Sequence, residues 1–272
     1  MDNPFRTIEL SDPAYEHDGL RYITVKTPNL AGRGDITVWL PAPELMGTEP
    51  LPLVILLHGV YGSHWCWSLK GGAHRTADRL VRTAQIRPMV LAMPSDGLWG
   101  DGSGYLPHNG RTFDRWIVDD VPKAVAEVLP ENRRSGFPSQ QFIAGLSMGG
   151  FGALRLAAKY PDQFGAVHGL SSITDLNQMP LFAEEPLREY RQPDPTDESV
   201  LALMVQNRDR LPPIQFDCGT DDLLIEHNRT LHRALTEQGI PHQYTEYPGG
   251  HEWPYWQEHL TDALLFFNRW MG

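Results

Sequence analysis

The sequence predicts an α/β fold: a mostly parallel central sheet with helices on both faces and an antiparallel N-terminal edge. Three observations predict it. Short, wholly apolar runs such as Leu53-Val54-Ile55-Leu56-Leu57 suit strands covered on both faces by helices. Strand-length runs alternate with helix-length segments over most of the chain, a rhythm that requires right-handed crossovers and hence parallel pairing. Finally, the segment Gly145-Leu146-Ser147-Met148-Gly149-Gly150 stands between an apolar strand-length run and a run of helix formers.

The elements follow in order. Residues 21–27 and 35–40 alternate apolar and polar side chains around the turn-rich 28–34, which predicts an antiparallel pair at one sheet edge. A strand at 53–58, a helix at 73–84, a strand at 89–93 and a helix at 116–129 come next. The strand at 141–144 and the helix at 151–158 flank the serine. Strands at 166–171, 214–218 and 243–247, with helices at 226–238 and 255–270, complete the pattern. Residues 174–213 break it, carrying six prolines and eight acidic residues, Glu184, Glu185, Asp194, Asp197 and Glu198 among them, around a helix at 198–207. This insertion reads equally as a cap over a site or as a solvated excursion. As a cap it would turn Met179, Leu181, Phe182 and Met204 to the pocket.

A serine between glycines at a strand-to-helix junction has the context of a nucleophile elbow. The tight turn lifts the hydroxyl above the sheet edge, and the helix N-terminus beneath favours developing negative charge. Ser147 is therefore the candidate nucleophile. A serine needs a base, and the base an orienting acid. The loop after the strand at 214–218 offers Asp221 and Asp222. Asp222, three residues past Gly219, is preferred, with Asp221 expected to cap the helix that follows. Of the 11 histidines, His251 alone lies in the Gly-rich loop between the last strand and the last helix. The oxyanion donors are expected to be the backbone N–H of Met148 and that of Val60 or Tyr61, in the loop after the strand at 53–58. His58 is read as shaping that loop. Ligands of open α/β sheets bind at the carboxyl ends of strands, where all these residues fall.

Taken together, His58-Gly59-Val60-Tyr61-Gly62-Ser63-His64-Trp65-Cys66-Trp67, Met93-Pro94-Ser95-Asp96-Gly97, Gly145-Leu146-Ser147-Met148-Gly149-Gly150-Phe151-Gly152-Ala153, Cys218-Gly219-Thr220-Asp221-Asp222 and Gly250-His251-Glu252-Trp253 resemble the α/β-hydrolase family that contains esterase D, S-formylglutathione hydrolase, and the tributyrin and feruloyl esterases. The resemblance runs in family order from about residue 20 to the C-terminus. It implies an α/β-hydrolase fold and serine carboxylesterase chemistry with Ser147, Asp222 and His251 as the triad, and it supports Asp222 over Asp221. S-formylglutathione hydrolases usually carry a cysteine within Ser-Gly-Leu-Thr-Cys at the oxyanion loop. Here Cys66 comes only several residues later, so the loop resembles the tributyrin and feruloyl branches more. A glutathione thioesterase and an acyltransferase are the alternatives within enzymes, and a non-catalytic binding protein is the alternative outside them.

The strand-end loops also carry Trp65, Trp67, Trp99, Tyr105, Trp253 and Trp256, an aromatic group that suits an acyl chain, a phenolic acyl group or a sugar ring. No long apolar segment suited to lining a tunnel is present, which favours short-chain esters. The 272 residues fit one domain, 1–272, with a composition of 41% hydrophobic and 21% charged residues. A net charge of −11 opposes nucleic acid and anionic membrane as partners, leaving a small-molecule ester. The oligomeric state stays open, a homo-oligomer included. The two cysteines are too few for a disulfide framework, and Cys218 is expected to pack as a small hydrophobe. No Cys/His cluster has metal-ligand spacing and no glycine-rich stretch continues as a phosphate loop, so neither metal nor cofactor is expected. Met1-Asp2-Asn3-Pro4-Phe5-Arg6 lacks the basic and apolar regions of a secretory leader, and the expected location is the cytoplasm.

Overall fold

In the computed structural model, which describes residues 4–272, the strands are β1 (Thr7–Leu10), β2 (Leu20–Thr27), β3 (Gly32–Trp39), β4 (Leu53–Leu57), β5 (Val90–Pro94), β6 (Gln141–Leu146), β7 (Ala166–Leu170), β8 (Ile214–Gly219) and β9 (Gln243–Tyr247). They form one sheet in the order β1-β2-β3-β5-β4-β6-β7-β8-β9. Pairing is antiparallel from β1 through β3 to β5 and parallel from there to β9. The helices are α1 (Ala73–Arg82), α2 (Phe113–Arg115), α3 (Val121–Ala126), α4 (Glu131–Arg134), α5 (Met148–Lys159), α6 (Val200–Gln206), α7 (Ile225–Glu237) and α8 (Trp253–Asn268). Among the described residues no helix is long and apolar enough to cross a membrane.

The apolar strands behave as their composition requires. Successive side chains of a strand point to opposite faces. Leu53, Ile55 and Leu57 of β4 accordingly join one buried cluster with Phe151, Leu154 and Phe216. Val54 and Leu56 join the other, with Ala77 and Leu80 of α1 and Leu260 and Leu264 of α8. Both faces are sealed, which is why no polar residue interrupts β4.

Two local expectations are corrected. The hairpin is tighter than the turn-rich stretch predicts: Thr27 pairs directly with Gly32, because Gly32-Arg33-Gly34 continues the extended ladder. The helix expected over 116–129 is replaced by α2, a wide π-helical turn at Trp116–Asp120, and α3. The turn widens just ahead of Pro122, whose ring nitrogen has no hydrogen to donate. The insertion over 174–213 is mostly short 3₁₀ turns and contains α6, capped by Ser199 through the Ala202 N–H at 3.4 Å.

A sealed polar group fastens α8 to the sheet. Asp217 of β8 is buried, and its Oδ1 accepts the Tyr255 hydroxyl at 2.7 Å while Oδ2 lies 2.6 Å from His168 Nε2. A buried carboxylate left without its donors costs far more than the bond itself is worth. We expect Tyr255→Phe, which strands Asp217 Oδ1, to lower stability by about 1–3 kcal/mol in urea unfolding. A loss of a few tenths would show that Oδ1 finds another donor.

Candidate active site

The site is built at the carboxyl ends of β4, β6, β8 and β9. Ser147 joins β6 to α5 with φ +55° and ψ −119°, a backbone conformation that costs a side-chain-bearing residue of order 1–3 kcal/mol. It is held there from three sides. Its N–H donates to the Leu170 carbonyl at 2.9 Å, and its own carbonyl accepts from Phe151 and Ile173 N–H, each at 3.1 Å. The flanking glycines are sterically required: a β-carbon at Gly145 would lie 2.1 Å from the Gly149 carbonyl oxygen, and one at Gly149 2.3 Å from that of Leu57.

The structure brings Ser147, His251 and Asp222 into one hydrogen-bonded row. His251, in the loop between β9 and α8, places Nε2 2.9 Å from Ser147 Oγ. Its Nδ1 lies 2.9 and 3.1 Å from the two carboxylate oxygens of Asp222. Asp222 is buried, and its Oδ1 also accepts the Leu224 N–H at 2.8 Å. Asp221 next to it is exposed, and the two ring nitrogens of the histidine are taken by Asp222 and Ser147. Nor does it cap α7, whose N-terminus has no side-chain cap; its backbone N–H instead ties the acid loop to the Gly249 carbonyl at 2.9 Å. The imidazole is walled by aromatic rings: Phe182 stacks on it at 5.1 Å and Trp256 meets it edge-on at 5.0 Å.

Among the described residues, two backbone N–H groups in the segments that meet at Ser147 have no acceptor. Met148 opens α5, where the first-turn N–H groups have no intrahelical partner. In the loop after β4 the Tyr61 N–H is already spent on the Asp101 carbonyl at 2.7 Å, which leaves Val60 as the free donor of the two. His58 shapes this loop. Its Nε2 accepts the Asp96 N–H at 3.1 Å, so Nδ1 carries the proton and donates to the Gly59 carbonyl at 2.7 Å.

A cavity of about 480 Å³ opens at Ser147, with Tyr61, Cys66, Lys70, Phe182, Trp253 and Trp256 on its walls. A larger groove of about 730 Å³, lined by Trp39 and His74 among others, shares no residue with it and none of its chemistry. Of the aromatic residues expected to meet substrate, Trp253 and Trp256 line the cavity. Trp65, Trp67, Trp99 and Tyr105 do not. Trp67 is buried with its indole N–H on the Leu57 carbonyl at 2.9 Å and its ring edge-on to Trp253 at 5.7 Å, so it supports the wall rather than forming it. Trp99 packs against His108 and Tyr190. Tyr105 is buried and donates to the His58 carbonyl at 3.0 Å. Trp65 is 40% exposed but outside the cavity. Of the residues named on the insertion, only Phe182 reaches the cavity. Met179 and Met204 are core, and Leu181 faces solvent.

Lys70 was not legible beforehand: it closes the wide turn Cys66–Lys70, and its ammonium sits 5.6 Å from the Trp253 ring. Cys66 lies in the wall, yet burial pushes its thiol up, outweighing the Ser63 N–H and Lys70 that favour the thiolate. Burial raises the Cys218 thiol further, with Asp222 and Asp217 adding to the effect. The thiolate is the reactive form. We expect neutral-pH titration with a disulfide reagent to find no fast thiol in the native protein and both after unfolding; a rapid native reaction would contradict this picture of Cys66.

A family described as "Putative esterase" matches residues 28–267. An acetyl esterase of Caldicellulosiruptor saccharolyticus is 28% identical over 240 residues, 82% of this chain and 85% of its own length. A ferulic acid esterase structure aligns with TM-score 0.78 at 24% identity over 97% of this chain and 99% of its own. An S-formylglutathione hydrolase of Staphylococcus aureus aligns with TM-score 0.75 at 21% identity, over 95% and 98%. The shared architecture is the α/β-hydrolase fold.

Proposed function

The chain belongs to this esterase family, and from that premise we propose that it is a serine carboxylesterase acting on short-chain acyl esters of small molecules. The observation that carries the reading is the unbroken row from Asp222 through His251 to Ser147, beside two N–H groups with no acceptor of their own. The geometry supports the following chemistry. His251 Nε2 takes the proton from Ser147 as its oxygen attacks the ester carbonyl. Met148 and Val60 N–H receive the charge that develops on the carbonyl oxygen, and preorganised donors of this kind contribute more than any other single term. Asp222 fixes the tautomer with Nδ1 protonated and stabilises the imidazolium. The intermediate collapses as His251 returns the proton to the leaving alcohol. Water, deprotonated by His251, then releases the acid from Ser147.

The cavity bounds the substrate. About 480 Å³ at the lower end of the ligand-pocket range suits a small ester. Phe182, Trp253 and Trp256 add flat apolar walls on which an aromatic acyl group or a sugar ring would lie. No observation favours a glutathione thioester over an oxygen ester.

We expect hydrolysis of p-nitrophenyl esters to peak at acetate or butyrate, decline by octanoate and be negligible for laurate. Equal or better laurate hydrolysis would mean a cavity longer than the one described. Ser147→Ala should cost at least about 10⁴-fold in kcat, and Asp222→Asn about 10⁴-fold, since either removes the triad as a unit. Asp221→Asn should stay close to wild type. Equal losses at 221 and 222 would reject the assignment of the acid, and activity surviving in Ser147→Ala would reject the serine mechanism.

A further inference from the structure

The loop that follows β5 meets the insertion beside Met148 and Val60, and one residue makes most of the connections. The Asp101 carbonyl accepts the Tyr61 N–H at 2.7 Å, its carboxylate accepts the Glu184 N–H at 2.8 Å, and its own N–H donates to Glu185 Oε1 at 2.9 Å. The next residue, Gly102, lies against Met148 and Val60. A β-carbon there would sit 2.5 Å from Met148 Sδ and 3.4 Å from Val60 Cγ1. The Gly102 carbonyl is in turn held by the Tyr190 hydroxyl at 2.9 Å. Preceding Gly100 has φ +56°, and a β-carbon on it would lie 2.2 Å from Glu185 Oε1, so the acid reaches Asp101 only across a bare glycine. A second strut joins the same two segments where the Tyr61 hydroxyl donates to the Phe182 carbonyl at 2.7 Å. Phe182 is the ring stacked on His251.

We propose that Asp101, clamped by Glu184 and Glu185 of the insertion, is a positioning residue that presents the Val60 N–H to the developing oxyanion and holds Phe182 against His251. This rests on the esterase reading above. The logic is one of exclusion and alignment. Tyr61 sits at φ +58°, so the Val60–Tyr61 turn keeps its shape only while something holds it. By accepting the Tyr61 N–H, Asp101 fixes that peptide and leaves the preceding N–H pointing free. Its carboxylate anchors the loop to the backbone of the insertion, so the donor and the aromatic wall of the base are set by one bracket. Because the clamp acts on a donor used only when charge develops, its loss should appear in kcat and leave substrate binding largely alone.

The test is steady-state hydrolysis of p-nitrophenyl acetate together with inhibition by phenylboronic acid, whose tetrahedral serine adduct places an oxygen where the oxyanion forms. Asp101→Ala should lower kcat about 10- to 100-fold and raise the boronate Ki by a similar factor. KM should move less than about threefold. Asp101→Asn keeps an acceptor for the Glu184 N–H and should recover most of the loss, which a charge-only role would not allow. Glu185→Ala removes the clamp from the other side, should show the same pattern, and carries the test if Asp101→Ala fails to fold. A Ser147-dependent enzyme in which both alanine variants keep kcat and boronate affinity within about twofold of wild type overturns the proposal. So does a kcat loss without any boronate loss. A wild type without Ser147-dependent hydrolysis overturns the esterase reading itself, and this proposal with it.

Discussion

Around Ser147 the end of β6, the first turn of α5 and the last carbonyls of β4 pack so closely that positions 145 and 149 have no room for a side chain. The same approach produces the rest of the site. Leu57, whose carbonyl Gly149 touches, is the last residue of β4, so the loop from His58 to Gly62 leaves the sheet beside the serine. A β-carbon on Gly59 would lie 3.2 Å from that of Ser147. The elbow thus fixes two things at once: the hydroxyl above the sheet, and the second N–H next to the first. β7 closes the arrangement from the other side by accepting the Ser147 N–H through Leu170. The strain of a positive φ is offset by hydrogen bonds from three neighbouring segments, which is the usual condition for such strain to persist.

Two buried carboxylates, Asp217 on β8 and Asp222 three residues past its end, sit five residues apart in different surroundings. Asp217 is enclosed by Tyr255 and His168. Asp222 has a backbone N–H on one oxygen and His251 at its open side. Both carboxylates are buried and supplied with donors, but only the second pair opens on the cavity, through an imidazole whose side chain is 16% exposed. The sealed pair still matters to the open one. By fastening Tyr255 it sets the first turn of α8, from which Trp253 and Trp256 form the cavity wall.

The central strands of the parallel sheet were legible because they must be apolar on both faces, and that constraint is written in consecutive residues such as Leu53 to Leu57. Ser147 and His251 were legible because each stands in a loop whose glycines answer a local steric demand. The edge strand β1 was not: Thr7-Ile8-Glu9-Leu10 is short and mostly exposed, so its pattern carries no burial signal. Asp221 and Asp222 share one turn and differ only in which way each side chain faces, a fact set by the position of His251, 29 residues on. Aromatic residues failed for the same reason. Trp67 and Tyr105 follow strand ends as Trp253 does, but their polar atoms reach the carbonyls of Leu57 and His58 and draw the rings inward. Composition locates aromatics near a site, whereas long-range hydrogen bonds decide which of them face it.

The insertion poses the last physical question, since it must cover the base without smothering it. Phe182 takes one face of the His251 ring and Trp256 meets it edge-on, while the edge bearing Nε2 stays open to Ser147. Apolar cover on the faces lowers the local dielectric and strengthens every charge interaction along the row. In the proposed mechanism that open edge is the one at which water would be activated for deacylation. A ring that slid from face to edge would cover Nε2, so the proposed chemistry needs Phe182 held as firmly as the row itself. Its carbonyl is held by the Tyr61 hydroxyl, on the loop that also carries Val60. The ring that covers His251 and the proposed oxyanion donor therefore share a support, and a disturbance of either is transmitted to the other.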